Sequence, residues 1–217
     1  MRVLAIDEAG KCPVLGSIWV VGIVMHDEFA NKMYKDGYID DCKKLSRARI
    51  DYLKPELEWA VDKKYVRRLT PEIIDIETKD ELNLNAKEMI VVMNIIDSAL
   101  RDFPDIQKIY VDNFEVSLEM FKKRMAQIGY DFKNYKHLFV IEHQADEKYP
   151  PVMVASIFAK YYRQREEYEF YDVAGSGNPC DKRTLNYIKA VLSGEIENDK
   201  WIRHSWITVR RLKRDEL

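Results

Sequence analysis

Asp7 and Glu8, two adjacent carboxylates, are the first residues in this chain that could do chemistry. They close the apolar run Val3-Leu4-Ala5-Ile6 and stand just before the turn-former Gly10. A carboxylate at a strand end facing a cleft is costly unless something neutralises it. A hard divalent cation, which takes oxygen ligands, can neutralise several at once. The dipeptide alone also fits an ordinary acidic strand terminus in a turn. Acids recur, however, after two further apolar runs. Asp112 closes Ile109-Tyr110-Val111, and Asp146 follows Leu138-Phe139-Val140-Ile141 across the linker Glu142-His143-Gln144-Ala145. Central strands of a mixed α/β sheet commonly end on one edge, so Asp7, Glu8, Asp112 and Asp146 could converge there. Four oxygen ligands without a soft partner suit Mg²⁺ or Mn²⁺ and not zinc. Two such ions, roughly 3.5–4 Å apart, can clamp the attacking and leaving oxygens of an in-line phosphoryl displacement.

These acids need elements to position them. Residues 2–7 and 17–25 read as strands paired across a Gly10–Gly16 loop. Ser46 is a plausible N-cap for a helix carrying Leu53, Leu57, Trp59 and Ala60. Residues 65–69 and 73–76 read as short β runs broken by Thr70-Pro71. Residues 84–100 have helical spacing, with Met89 and Met93 on the core side. A strand over 108–112, a helix over 117–128 and a strand over 138–141 follow. Residues 152–171 form a helix whose Ala155-Ser156 start permits close packing, and 182–192 form another after a Gly-rich turn. Three early strands and then alternating helix and strand predict an α/β fold with a mixed sheet flanked by helices. With no repeat and no linker, residues 1–217 read as a single domain, of which roughly 172–217 is a helical C-terminal segment.

Composition narrows the class. The 217 residues are 47% hydrophobic and 33% charged, the balance of a soluble globular protein with a sizeable core. No apolar run reaches the ~18 residues of a membrane helix. No signal peptide is visible, so the expected location is cytoplasmic and no membrane is involved. The ending Arg214-Asp215-Glu216-Leu217 resembles a reticulum retrieval signal, which without a signal peptide reads as coincidence. Cys12, Cys42 and Cys180 are odd in number and lack metal-ligand spacing, which fits free thiols in a reducing compartment.

Net charge is -2, so nothing in the total marks a nucleic-acid binder. Basic residues nevertheless cluster at Lys43, Lys44, Arg47 and Arg49, at Arg163 and Arg165, and at Arg203, Arg210, Arg211, Lys213 and Arg214. A basic rim around an acidic centre is compatible with phosphate binding. The last of these groups reads as a solvated helix face. His26, His137 and His204 read as surface or capping residues, and His143 as a structural neighbour of Asp146. Trp201 and Trp206 read as anchors of a C-terminal helix.

The motifs carry a resemblance. Asp7-Glu8-Ala9-Gly10 and Pro13-Val14-Leu15-Gly16 resemble the opening of ribonuclease HII, the type 2 ribonuclease H, in its archaeal and eukaryotic-like branch. Asp41-Cys42-Lys43-Lys44-Leu45 is similar to the family's Asp-Ser-Lys-Lys-Leu, and Tyr110-Val111-Asp112 stands where its third acid is expected. The run from Glu142 to Pro150 is similar to Glu-His-Lys-Ala-Asp-Ala-Lys-Tyr-Pro. Val154-Ala155-Ser156-Ile157-Phe158-Ala159-Lys160, Gly175-Ser176-Gly177-Asn178-Pro179-Cys180-Asp181 and Arg203-His204-Ser205-Trp206 continue it in order. The blocks span residues 6–209.

This resemblance implies the ribonuclease H fold, a mixed five-stranded sheet flanked by helices with a helical C-terminal extension, and an endoribonuclease. Such an enzyme would cut the RNA strand of RNA/DNA hybrids and incise duplex DNA 5′ of embedded ribonucleotides, leaving 5′-phosphate and 3′-hydroxyl ends. Asp7, Glu8, Asp112 and Asp146 match the family's metal-binding acids, implying Mg²⁺ or Mn²⁺ and two ions during catalysis. The implied substrate-binding residues are Gly10, Lys11, Cys12, Cys42, Lys43 and Asn178. The expected partners are RNA/DNA hybrid and duplex DNA containing ribonucleotides, bound by a monomer, and no sliding-clamp peptide is seen.

Several of these positions depart from the family. Gly10-Lys11-Cys12 replaces a Gly-Arg-Gly segment that grips the backbone at the ribonucleotide. Lysine lacks the planar fork of arginine, and Cys12 adds a side chain where glycine allows close approach. Asn178 replaces a tyrosine that packs on the sugar at the RNA–DNA junction, and asparagine cannot stack. Gln144 and Gln164 replace a lysine and an aspartate, and Cys42 and Cys180 replace serines. The three cysteines are either neutral small-residue exchanges or the lining of one oxidation-sensitive groove. A hybrid-only ribonuclease H, or a non-catalytic nucleic-acid-binding relative, are the alternative functions.

Overall fold

Residues 1–76, 83–115, 117–130 and 135–215 of the chain are described by a computed structural model. Strand β1 (Arg2–Ala9) lies at the centre of a five-stranded sheet. Val3, Leu4, Ala5 and Ile6 are all buried, as required of a strand covered on both faces. β1 pairs antiparallel with β2 (Ile18–His26), which pairs antiparallel with β3 (Val61–Leu69). On its other side β1 pairs parallel with β4 (Lys108–Asp112), and β4 parallel with β5 (Phe139–Glu142). The order is β3-β2-β1-β4-β5. Because β1, β4 and β5 run the same way, the ends that carry acids share one edge of the sheet.

Alternation along β1 sends Val3 and Ala5 to one face and Leu4 and Ile6 to the other. The first face packs against α1 (Asp27–Lys35), α2 (Arg47–Glu58) and α7 (Pro150–Tyr168). The second packs against α4 (Leu84–Asp102) and α5 (Leu118–Gln127), with Met89 and Met93 in the core as expected. Helix α7 is buried without a break from Pro150 to Ala159. A helix apolar all round its first turns is a central helix, and its small residues let β1 approach. A third apolar cluster joins Val14 and Leu15, in the loop after β1, to Phe170, Trp201, Ile202 and Val209. It involves α8 (Tyr171–Ala174), α9 (Lys182–Leu192) and α10 (Ile207–Asp215). Trp201 is buried and packs 5.3 Å from Phe170, in the anchoring role expected of it.

The mixed sheet flanked by helices is the predicted architecture, but several elements differ from expectation. The β run at 73–76 is instead the end of a short helix, α3 (Pro71–Asp75). The Thr70 hydroxyl accepts from Ile73 N at 3.3 Å and proline occupies the first turn. This cap and its pre-set φ outweigh the β preference of two isoleucines. β3 begins at Val61, four residues before the predicted start, because the unbroken charged run Asp62-Lys63-Lys64, at a bulge in the pairing with β2, shows no strand alternation. The helix expected over 152–171 ends at Tyr168 and resumes as α8. Among the described residues no helix is long and apolar enough to cross a membrane.

Candidate active site

Successive residues of a strand point to opposite faces, and this separates Asp7 from Glu8. Asp7 turns toward α7 and hydrogen-bonds Ser156, one of the small residues at the start of that helix. Glu8 turns toward α4, where it feels the buried carboxylate of Glu88. Asp112 ends β4 beside them. Ligand oxygens of Asp7, Glu8 and Asp112 all lie within 4.8 Å of one another. The other Asp112 contact is to Ala145 N, which donates to its Oδ1 at 3.0 Å. Ala145 begins a single turn, α6 (Ala145–Lys148), that carries Asp146. Gln144 takes a left-handed conformation, φ 56°, to make the corner between β5 and that turn. Asp146 is buried, and its Oδ1 has no hydrogen-bond partner. Its charge acts on both Asp7 and Asp112.

The electrostatics are those of a site where negative charge outweighs the two lysines at its edges. Burial pushes the Asp7 carboxyl up to about 7, with Asp112 and Asp146 adding to the shift and Ser156 opposing it. Burial, then Asp7 and Glu88, raises Glu8 well above the carboxylate range, and burial raises Asp112. An orphaned buried oxygen on Asp146 and three clustered carboxylates with raised affinity for protons fit a hard divalent cation. Among the described residues no thiol or imidazole enters the cluster, which argues against zinc.

Lys43 guards the Asp146 side. It follows Asp41 in a 3₁₀ turn, Cys42–Lys44, and Asp41 Oδ1 accepts from Lys43 N at 2.9 Å. Its Nζ stands 2.7 Å from Glu147 Oε1 and 3.4 Å from Asp146 Oδ2. The Glu147 contact raises the Lys43 pKa above its ordinary value. The side chain of Cys42 lies outside the described residues.

On the Glu8 side runs an open groove of about 410 Å³, bordered by Glu8, Gly10, Lys11, Cys12, Arg47 and Asn178. Four of the sequence-predicted substrate residues therefore share one wall system. Cys12 and Cys180 are exposed free thiols, of which only Cys12 borders this groove. Lys11 does not extend into it. Its Nζ donates to Glu88 Oε2 at 2.6 Å and lies 5.0 Å over the Phe114 ring. Gly10 has φ +96°, and a Cβ there would meet Ser17 O at 2.6 Å, so only glycine fits.

Arg203 departs most from the sequence reading. Grouped there with solvated helix-face residues, it is fully buried and makes a three-pronged clamp. Nε donates to Gly16 O at 2.7 Å, Nη1 to Lys11 O at 3.0 Å and Nη2 to Gly10 O at 2.6 Å. Arg210, Arg211, Lys213 and Arg214 are exposed, as expected. Glu166, also buried, accepts from Ser17 N at 2.8 Å, Trp19 Nε1 at 3.0 Å and Arg68 Nη2 at 2.6 Å. Sequence reasoning missed Glu88 and Glu166 as site supports. For Glu88 a signal existed: it stands at i-4 from Val92 and i-8 from Ile96, on the apolar stripe of α4. His143 sits at the rim, exposed, with Nε2 3.3 Å from Asn113 Nδ2.

Comparison with known proteins agrees with this geometry. The family model described as Ribonuclease HII matches residues 4–209. The Ribonuclease HII of Pyrococcus horikoshii is 33% identical over 216 residues, covering 98% of this chain and 93% of its own. Among solved structures, the RNase HII of Archaeoglobus fulgidus, determined in complex with PCNA, aligns with a TM-score of 0.71 at 30% identity, covering 99% of each chain. Bst-RNase HIII in complex with Mn²⁺ aligns with a TM-score of 0.80 at 14% identity, covering 99% of this chain and 70% of its own, a likeness of fold. An acidic cluster at one edge of a ribonuclease H-like sheet, and a family match over nearly all its length, place this chain in the ribonuclease HII family of metal-dependent endonucleases.

Proposed function

We propose that this protein cuts the RNA strand of RNA/DNA hybrids and incises duplex DNA 5′ of embedded ribonucleotides, leaving 5′-phosphate and 3′-hydroxyl ends. The observation that carries the proposal is the meeting of Asp7, Glu8 and Asp112 within 4.8 Å beside the unpartnered Asp146 oxygen. Asp7, Glu8, Asp112 and Asp146 would hold Mg²⁺ or Mn²⁺, two ions during turnover. Bound there, such ions supply a water nucleophile of lowered pKa and stabilise the leaving 3′ oxygen.

The chain's own residues prepare the site. Ser156 and Ala145 N orient Asp7 and Asp112 by hydrogen bonds. Lys43, half exposed and shared between Asp146 and Glu147, is placed to meet a backbone phosphate when the substrate arrives. Gly10 and Cys12 present the loop that reads the ribonucleotide, held from behind by Arg203. Cys42, in the same turn as Lys43, and the exposed Asn178 complete the substrate-facing set. Residues 1–217 act as one unit on this reading, because Arg203 supports the loop of the catalytic cleft from the C-terminal segment.

The test is cleavage of a labelled hybrid beside a DNA duplex carrying one ribonucleotide, with and without Mg²⁺ or Mn²⁺. Metal-dependent cutting of both, with 3′-hydroxyl products, is expected. No cutting of either would leave a nucleic-acid-binding relative as the function. Cutting of the hybrid alone would establish the hybrid-only alternative, which the exposed Asn178 in place of a stacking residue favours. PCNA, seen with the Archaeoglobus relative, is a candidate partner. Size-exclusion chromatography with and without PCNA reads that contact and, in the same runs, the monomeric state proposed here.

A further inference from the structure

Two lysines flank the carboxylate cluster, and their settings differ. Lys43 is 53% exposed and bonded to the rim residue Glu147. Lys11 is bonded to Glu88, a carboxylate only 1% exposed, on the helix that walls the Glu8 side. The second oxygen of Glu88, Oε1, is buried without a hydrogen-bond partner. Glu88 and the acids Asp7, Glu8 and Asp112 line one small buried pocket with Phe114. The backbone of Lys11 is held as well, since its carbonyl accepts from Arg203.

We propose that Glu88 is a positioning residue that keeps Lys11 turned inward, so that Lys11 serves as a fixed countercharge beside Glu8 and not as a phosphate contact. For Lys11 to reach a phosphate, a buried carboxylate would be left with neither oxygen paired. Breaking a buried ion pair costs far more than an exposed contact returns. Lys43 is held less tightly, because its 2.7 Å contact is to Glu147 at the surface, which rehydrates, and Asp146 lies at 3.4 Å. The loop then reads nucleic acid through its backbone and Cys12, and the phosphate contacts of this groove fall to half-exposed cations such as Arg47, which spends one Nη on Glu167 and has further donors on its guanidinium. The charge that stands at the middle of the loop belongs to the metal side of the cleft.

This inference rests on the hybrid-cutting reading, and its test is separable from it, since neither measurement uses turnover. The first is the salt dependence of hybrid binding without divalent ions. The second is calorimetric titration of the substrate-free protein with Mn²⁺. The variants are Lys11→Met and the charge-balanced pair Lys11→Met with Glu88→Gln, which leaves no buried charge alone and keeps the test open should the single variant unfold. Both should keep the wild-type salt slope, whereas a phosphate contact would lower it by about 0.9. Lys11→Met strips the cation and should bind Mn²⁺ more tightly, by up to roughly tenfold to the extent that Glu88 keeps its charge, and the pair should return toward wild type. A slope lowered by about one in the paired variant makes Lys11 a phosphate contact and overturns the proposal. So does a Mn²⁺ affinity that Lys11→Met lowers. Loss of cleavage in the wild type with these results intact would instead fault the hybrid-cutting reading.

Discussion

Asp7 concentrates the tension of the site in one side chain. It is buried, it faces Asp112 and Asp146, and its carboxyl titrates near 7. A carboxyl whose pKa rises on folding holds its proton more tightly in the folded state. The metal-free fold therefore loses stability as pH climbs from about 4 toward 7, by up to about 1.4 kcal/mol per pH unit for this one group. Glu8 acts in the same direction. Carboxyls held low by hydrogen bonds, such as Asp181 with Ser176, have the opposite effect, but in a window below about 4. Asp7→Asn should abolish cleavage and, at pH 8 without metal, should stabilise the fold by about 1–3 kcal/mol. Urea denaturation at pH 5 and pH 8 checks this: the wild type should lose stability between them and the variant much less. Near-normal cleavage by the variant would remove Asp7 from the site.

At the same scale, Lys43→Ala should weaken hybrid binding and reduce the salt slope by about 0.9, one phosphate contact. An unchanged slope would return Lys43 to a mere partner of Glu147. Asn178 and Cys12 bear on selectivity. With an amide in place of a stacking ring, incision at a lone ribonucleotide should be weaker than cutting of continuous hybrid. Asn178→Tyr with Cys12→Gly should raise it by about 5–150-fold, the value of one stack of roughly 1–3 kcal/mol. Paired rate measurements on the two substrates decide it, and equal rates in the unmodified protein would assign junction reading to another residue.

Elements meet at the loop after β1. Its carbonyls at Gly10, Lys11 and Gly16 are held by one guanidinium from the other end of the chain. Arg203→Lys preserves the charge but not the fork, so at most one or two of the three carbonyls, one buried and two partly buried, stay bonded. A loss of about 2–4 kcal/mol is expected, with a raised KM for the hybrid and a smaller change in kcat. Chemical denaturation and steady-state kinetics measure both. Equal stability of the variant would mean water serves the loop as well as Arg203. At this scale the sequence was readable where a signal was local. Ser46 caps α2 as the sequence predicts, while Asn83, Ser117 and Asp181, not singled out there, cap the helices that follow them. Thr70-Pro71 was a legible start whose helix is too short for periodicity to register, and α1, with a single buried residue, offered almost none.

For the whole molecule, ion binding and folding should be coupled. A ligand at 100 times its dissociation constant adds about 2.7 kcal/mol, which for a chain of this size raises Tm by roughly 5–10 °C. Thermal melts with Mn²⁺ should show that shift in the wild type and lose most of it in Asp7→Asn. No shift in the wild type would count against a divalent site. Removing residues 171–217 should prevent stable folding, because Val14 and Leu15, both fully buried, lose Trp201, Ile202 and Val209 as cover. A cooperatively folding truncation would instead make that segment a separate unit.

What the sequence determined by itself was chemistry carried by residue type and order. Acids after apolar runs, the turn glycine and the ordered motif blocks led to a metal-dependent nuclease before any coordinate. The alternating sheet faces that part Asp7 from Glu8 follow from strand periodicity alone. Only the tertiary structure decided where the long cations point. Lys11 meets Glu88 across 77 positions, and Arg203 meets Lys11 O across 192. A flexible basic side chain has no direction of its own. It goes to whichever anionic or carbonyl oxygen is left without water, and burial is a property of the packed chain. The same fact moved Arg203 from the solvated surface to the interior and made Glu88 a support of the site.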